Sequence, residues 1–127
     1  MQIQNTKIQT FTQLRVWQEG HELVLLVYKI VKDFPNEEKY ALGDQMRRCS
    51  VSITSNIAEG FGRQGKKEKI QFYYTSQASN IELQNQLLIA HDVGYINKRA
   101  FDDLTTKSIS VAKQLNALIR SIKSKHE

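Results

Sequence analysis

The chain has little of what usually punctuates or staples a fold. Its one cysteine, Cys49, excludes an intramolecular disulfide and any cysteine-rich zinc site. One proline and six glycines, four of them between residues 43 and 65, leave long uninterrupted stretches that favour helix over strand. No apolar run approaches the length needed to cross a bilayer, so no membrane partner is expected. Met1 is followed by Gln, Asn and Thr rather than by a basic segment and an apolar run. A signal peptide is therefore not expected, and the expected setting is the cytoplasm. Paired Glu-x-x-His motifs, which hold two metals in many helical bundles, are missing. His21, His91 and His126 all lack an acidic residue three positions earlier. Neither a metal nor a cofactor is expected. Gly60-Phe61-Gly62-Arg63-Gln64-Gly65 is glycine-rich, yet it lacks the Lys-Ser/Thr of a phosphate loop, and no strand precedes it.

What is present is helical periodicity. At 127 residues the chain is expected to form one domain, a bundle over residues 12–125 behind a flexible polar tail at residues 1–11. Leu14, Trp17, His21, Val24, Tyr28 and Val31 step by three and four, which predicts a first helix over 12–34 with a heptad seam. Leu23, Val27, Ile30 and Phe34 form a second apolar row, and a helix apolar on two faces suggests contacts between subunits. Pro35 ends the helix, because the residue before a proline resists helical angles. Residues 36–39 read as a short connection. A second helix is predicted over 40–61, ended by the glycines 60, 62 and 65. A third is predicted over 66–93 on the seam Ile70, Tyr74, Gln77, Ile81, Gln84, Leu88, His91, flanked by Tyr73, Leu83, Leu87 and Ala90. Gly94 then caps it. The fourth is predicted over 97–124, capped by Asn97 and seamed by Phe101, Leu104, Ser108, Val111, Leu115, Leu118 and Ile122. Four long helices on short connections predict an all-α, up-down-up-down antiparallel four-helix bundle.

The second helix is unusual. Met46, Cys49, Ile53 and Ile57 make an apolar stripe, and beside it runs a polar row, Gln45, Ser52, Asn56 and Glu59. Polar groups that close to a core are expected to be partly desolvated, and each costs about 1–3 kcal/mol if left without a partner. The row reads as structural, fixing helix register; the competing reading is a ligand or nucleic-acid site. Small residues, Ser50, Ser52, Ser55 and Ala58, would let a neighbouring helix come close.

The net charge is +5, from 18 basic and 13 acidic residues. Residues 1–62 are balanced, and the excess lies in the last helix and in a knot at Arg63, Lys66, Lys67 and Lys69. With Arg47 and Arg48, these are the candidate nucleic-acid contacts, since clustered cations attract phosphate backbones. The competing reading is an ordinary solvated face. For catalysis the sequence offers only Arg15 and His21, a loose likeness to the Arg and His pair of helical ribonucleases. An enzyme is not expected.

One pattern is more specific. Leu14, Trp17, Tyr28, Phe34-Pro35, Glu38, Tyr40, Leu42, Gln45, Arg47-Arg48, Ser52-Ile53, Asn56-Ile57-Ala58-Glu59-Gly60, Arg63, Phe72 and Glu82-Leu83 together resemble the family of 23S ribosomal RNA intervening-sequence proteins. The likeness covers roughly residues 11–122. The family often has Gly-Ser in its third helix, where this chain has Ala78-Ser79. The resemblance implies a four-helix bundle with no established enzymatic activity or cofactor. Relatives include accessory proteins of diversity-generating retroelements, which are pentameric bundles that bind nucleic acid and a reverse transcriptase. It therefore implies a homo-oligomeric ring such as a pentamer, with RNA or DNA as partner. The alternative is a protein–protein interaction or structural module in which the basic residues only solubilise.

Overall fold

A computed structural model describes residues 7–124. A single 3-10 turn, Phe11–Gln13, leads into α1 (Arg15–Val31). Then come a short α2 (Asn36–Lys39), α3 (Leu42–Gly62), α4 (Lys66–Asp92) and α5 (Lys98–Ser124). The described residues hold no strand. The four long helices close a ring of contacts in which α3 packs on α1 and α4, and α5 packs on α4 and α1. This is the expected antiparallel four-helix bundle. Its centre is filled by Leu23, Val27, Met46, Ile53, Ile57, Leu83, Leu87, Leu104, Val111 and Leu115, all essentially inaccessible. Burying one such side chain is worth about 1.5–3 kcal/mol, which is why apolar periodicity dominates the fold.

The boundaries differ from the expected ones for local reasons. The first helix begins at Arg15 rather than residue 12, because Leu14 is extended (φ −74°, ψ 128°). It ends at Val31, and Asp33 and Phe34 continue with tighter turns onto the carbonyls of Ile30 and Val31. Residues 36–39 are a helical turn rather than a plain connection, with Glu37 and Glu38 at its positive end. Of the expected tail, residues 1–6 lie outside the described residues, whereas Phe11 packs edge-on to Trp17 at 5.3 Å. The expected caps of the last two helices are present. Gly94 takes φ +87°, and the Asn97 Oδ1 accepts from the Ala100 N–H at 2.8 Å.

Gly60 does not end α3, which runs on to Gly62. A Cβ at Gly60 would lie 2.6 Å from Cε1 of the buried Tyr73 ring and 3.1 Å from the Phe72 Cβ. This glycine is a packing residue, and it lets α4 start tight against the end of α3. The turn proper is only Arg63, Gln64 and Gly65.

Two helices present a different face to the core than their most apolar row suggests. In α4 the buried row is Tyr73, Ser76, Asn80, Leu83, Leu87 and Ala90. The expected seam sits one residue later, about 100° around the helix. It forms the shoulder toward α5. Gln77 donates to the Ala112 carbonyl (3.0 Å) and the Asn116 side chain (2.7 Å), and Gln84 donates to Ser108 Oγ (2.8 Å). In α1 the two apolar rows merge into one broad face, with Val16, Gly20, Leu23, Val24, Val27 and Val31 buried. Tyr28 and His21 lie outside it.

Candidate functional site

The polar row of α3 divides in two. Ser52 Oγ shares a hydrogen bond with Ser79 Oγ at 2.8 Å. The Asn56 amide donates to the Ser52 carbonyl at 2.8 Å and to its hydroxyl at 3.1 Å. Ser76 Oγ donates to the Ile53 carbonyl at 2.8 Å, and Cys49 Sγ donates to the Ser79 carbonyl at 2.9 Å. The Ser52, Ser76 and Cys49 bonds tie α3 to α4, whereas the Asn56 bonds stay within α3. Gln45 and Glu59, expected to be desolvated, are exposed instead. Glu59 pairs with Arg63 across one helical turn at 3.4 Å. Burial, reinforced by the Glu82 carboxylate, pushes the Cys49 thiol up to about 12 and keeps it protonated at neutral pH.

The six candidate cations do not form one cluster. Arg47 and Arg48 sit near the start of α3, and Arg63 follows its end. Fifteen residues at 1.5 Å each separate Arg48 from Arg63 by about 22 Å along the axis. Arg47 is engaged by Asp44 and by the Lys39 carbonyl, and its guanidinium lies 5.9 Å from the Tyr28 ring centroid. Arg63 lies over the Phe72 ring at 4.9 Å. Lys69 turns inward and caps α3, donating to the carbonyls of Gly60 (3.1 Å) and Phe61 (2.8 Å). Burial lowers its pKa, and a cation there suits the negative helix end. Lys66 is half-buried, whereas Arg48 and Lys67 are exposed. Arg48 has no ion pair or hydrogen bond with any described residue.

Arg15 and His21 are not arranged toward each other. Arg15 Nε is 2.9 Å from Glu19 Oε2, and His21 stacks on Trp17 with centroids 4.8 Å apart. His91 packs against Phe101, and His126 lies outside the described residues. Among the described residues no three His, Cys, Asp or Glu side chains gather to hold a metal ion. No described helix is long and apolar enough to cross a membrane.

Among the described residues, Glu19 is the carboxylate held below its usual range. Ser110 Oγ donates to Glu19 Oε1 at 2.6 Å, and this bond is the largest cause, with Arg15 and Gln114 adding to it. A depressed folded-state pKa adds stability above the unfolded value, and that stability is lost as pH falls through the folded value. The loss should therefore lie below about pH 4.5, the ordinary value for the group. Urea midpoints at pH 6 and pH 3 should fall less for Ser110→Ala than for the wild type. An equal fall in both would show that the contact does not act on Glu19.

Sequence reasoning missed the surface made by the displaced seam. Tyr74, Ile81 and Leu88 are 44, 65 and 50% exposed, with Ile109 of α5 44% exposed on the same side. Lys123 Nζ bonds the Tyr74 hydroxyl at 2.7 Å at one end of the stripe. The heptad spacing of this row is legible in the sequence; the side of the helix that faces the interior is not.

The geometry defines an all-α bundle whose distinctive features are polar register bonds inside and separate apolar and cationic surfaces outside. The chain belongs to the 23S rRNA-intervening sequence protein family, whose model matches residues 12–117. A crystal structure with the same fold is that of a protein of unknown function from the S23 ribosomal protein family of Bacteroides thetaiotaomicron. The two are 22% identical, with a TM-score of 0.77 over 82% of this chain and 97% of that one. Comparison with curated proteins finds no match.

Proposed function

We propose that this protein is a non-catalytic scaffold that assembles with copies of itself through the α4–α5 face, in the cytoplasm. The observation that carries this is the stripe Tyr74, Ile81 and Leu88. These residues recur every seven positions, face solvent, and belong to a helix whose core row is a different one. A heptad of apolar residues on an outer face is what a helix–helix contact between subunits requires. The ring implied by the family resemblance agrees with it. Ile81→Glu places a charge at the centre of the stripe without touching the bundle interior. It should convert the oligomer to monomers in light scattering coupled to size exclusion, with the thermal midpoint of the monomer fold retained. A wild-type protein that is monomeric at high micromolar concentration would sink the proposal.

The second reading adds nucleic acid as the partner of that scaffold, and the exposed cations favour it. Arg48 is exposed in the first half of α3, Lys67 at the start of α4, and Lys113 and Arg120 on α5. One copy carries a modest charge of +5, but a ring repeats every cation at fixed spacing. Weak phosphate contacts then act together, as linked sites do. Binding to phosphate alone would be tolerant of sequence and steep in salt.

A further inference from the structure

The unpaired cation of α3 stands in a groove. Two clefts, of about 460 and 270 Å³, meet at Arg48 and Ser52. The first reaches to Tyr28 of α1, and the second is lined by Gln45, Ser79 and Glu82. The groove thus runs from α1 across α3 to α4. Arg48 has no partner among the described residues, although Arg47 beside it is fully engaged. Glu82 lines the same cleft without pairing with Arg48; its carboxylate lies against the Cys49 thiol and makes a long contact with the Gln86 amide, at 3.5 Å. Tyr28 remains 45% exposed at the other end. A cation and a carboxylate that share a cleft yet do not neutralise each other suit a ligand carrying both an anion and hydrogen-bond donors.

We infer that the groove binds a dinucleotide step of single-stranded RNA, a reading that rests on the nucleic-acid function proposed above. Arg48 takes the phosphate between the two nucleotides, since a guanidinium matches phosphate oxygens in a two-pronged bond. Tyr28 offers a ring on which the base on its side stacks. Glu82 accepts hydrogen bonds from the edge of the other base, with the Gln45 amide beside it. A carboxylate repels a second phosphate but accepts from exocyclic amino groups, as in pairing with cytosine N4. The site therefore favours bases that carry an amino group over uracil. In a duplex those edges are paired and stacked, so the groove selects single strands. Ser79 reaches α3 from one side of α4, while Gln77 and Gln84 reach α5 from the other. Assembly through the Tyr74–Leu88 stripe, on the α5 side, leaves the groove open.

The test is fluorescence anisotropy of labelled oligo-cytidine, oligo-uridine and an RNA hairpin duplex, at low and moderate salt, with the full-length protein. Oligo-cytidine should bind tightest. Arg48→Ala should weaken it about tenfold or more, the scale of one charge-assisted contact. Tyr28→Ala should weaken it about tenfold, the scale of one stacked base. Glu82→Gln should narrow the gap between cytidine and uridine. All three side chains are exposed, and circular dichroism melts would confirm that the variants fold. If Arg48→Ala and Tyr28→Ala bind like the wild type while Arg63→Ala/Lys67→Ala does not, the groove is overturned and phosphate binding at the α3–α4 turn survives. Absence of binding by the wild type at low salt would overturn both.

Discussion

Gly60→Val should destabilise the bundle by about 3 kcal/mol, at the upper end of what overpacking a core costs. For a chain of this length that is a fall of about 10 °C in Tm. The reason is the 2.6 Å approach of an added Cβ to Tyr73 Cε1 and the 3.1 Å approach to the Phe72 Cβ. Tyr73 is almost wholly buried, and its ring cannot swing aside into solvent. Either α4 moves away from the end of α3, or the ring leaves its rotamer. Valine adds branching on both sides of the clash. Gly60→Ala makes the same Cβ contact without valine's branching, and gains about 1 kcal/mol of helix propensity, which offsets part of the clash. The two variants should therefore separate clearly in a thermal melt. If Gly60 were only a helix terminator, neither change would cost more than about 1 kcal/mol. A valine variant as stable as the wild type would refute the packing role.

The second large effect lies at the α4–α5 interface. Asn80 and Ser108 are both fully buried and close on each other. The Asn80 amide donates to the Ser108 carbonyl at 2.9 Å, and the Ser108 hydroxyl donates to Asn80 Oδ1 at 2.6 Å. Gln84 Nε2 completes the set on the hydroxyl at 2.8 Å. Asn80→Ala removes two bonds at once, leaving the buried Ser108 hydroxyl hydrogen without its acceptor and the Ser108 carbonyl with only its partner within α5. A buried polar group left unsatisfied costs about 1–3 kcal/mol, so the expected loss is about 3 kcal/mol. Ser108→Ala alone should cost less, because the Asn80 amide keeps its carbonyl acceptor. The double variant should be more stable than the sum of the single changes implies, with a coupling of about 1 kcal/mol or more. Strict additivity in urea unfolding would mean that the two side chains do not act as a unit.

These two sites show where reading the chain alone succeeded and where it stopped. The periodicity of α5 is clean, and Leu104, Ser108, Val111 and Leu115 are buried as their spacing predicts. Gly94 and Asn97 act as caps because a cap depends on backbone angles and one local bond, both written within a few residues. Gly60 reads as a terminator in the sequence because a glycine needed for turning and one needed for close packing look the same in one dimension. Its role is set by Tyr73, which lies across an interface.

α4 holds the deeper lesson. Its buried row contains Ser76 and Asn80, and its outer shoulder contains Tyr74, Ile81 and Leu88. Apolar periodicity measures side-chain chemistry, and so it pointed one residue away from the true core row. Ser76 and Asn80 are buried at low cost because acceptors on α3 and α5 stand opposite them. No local property of α4 reveals that. The candidate surfaces divide in the same way. The cations were visible as letters, but their separation to opposite ends of α3, the inward turn of Lys69 and the isolation of Arg48 are consequences of packing.

The sequence by itself determined that this chain is a four-helix bundle and to which family it belongs. Helix periods, caps and a short specific motif are local, and they survive projection onto a string. The tertiary structure alone decided which face of α4 is inside, which polar groups are satisfied, and which charges remain available. Those properties arise only when side chains distant in sequence meet and exclude water.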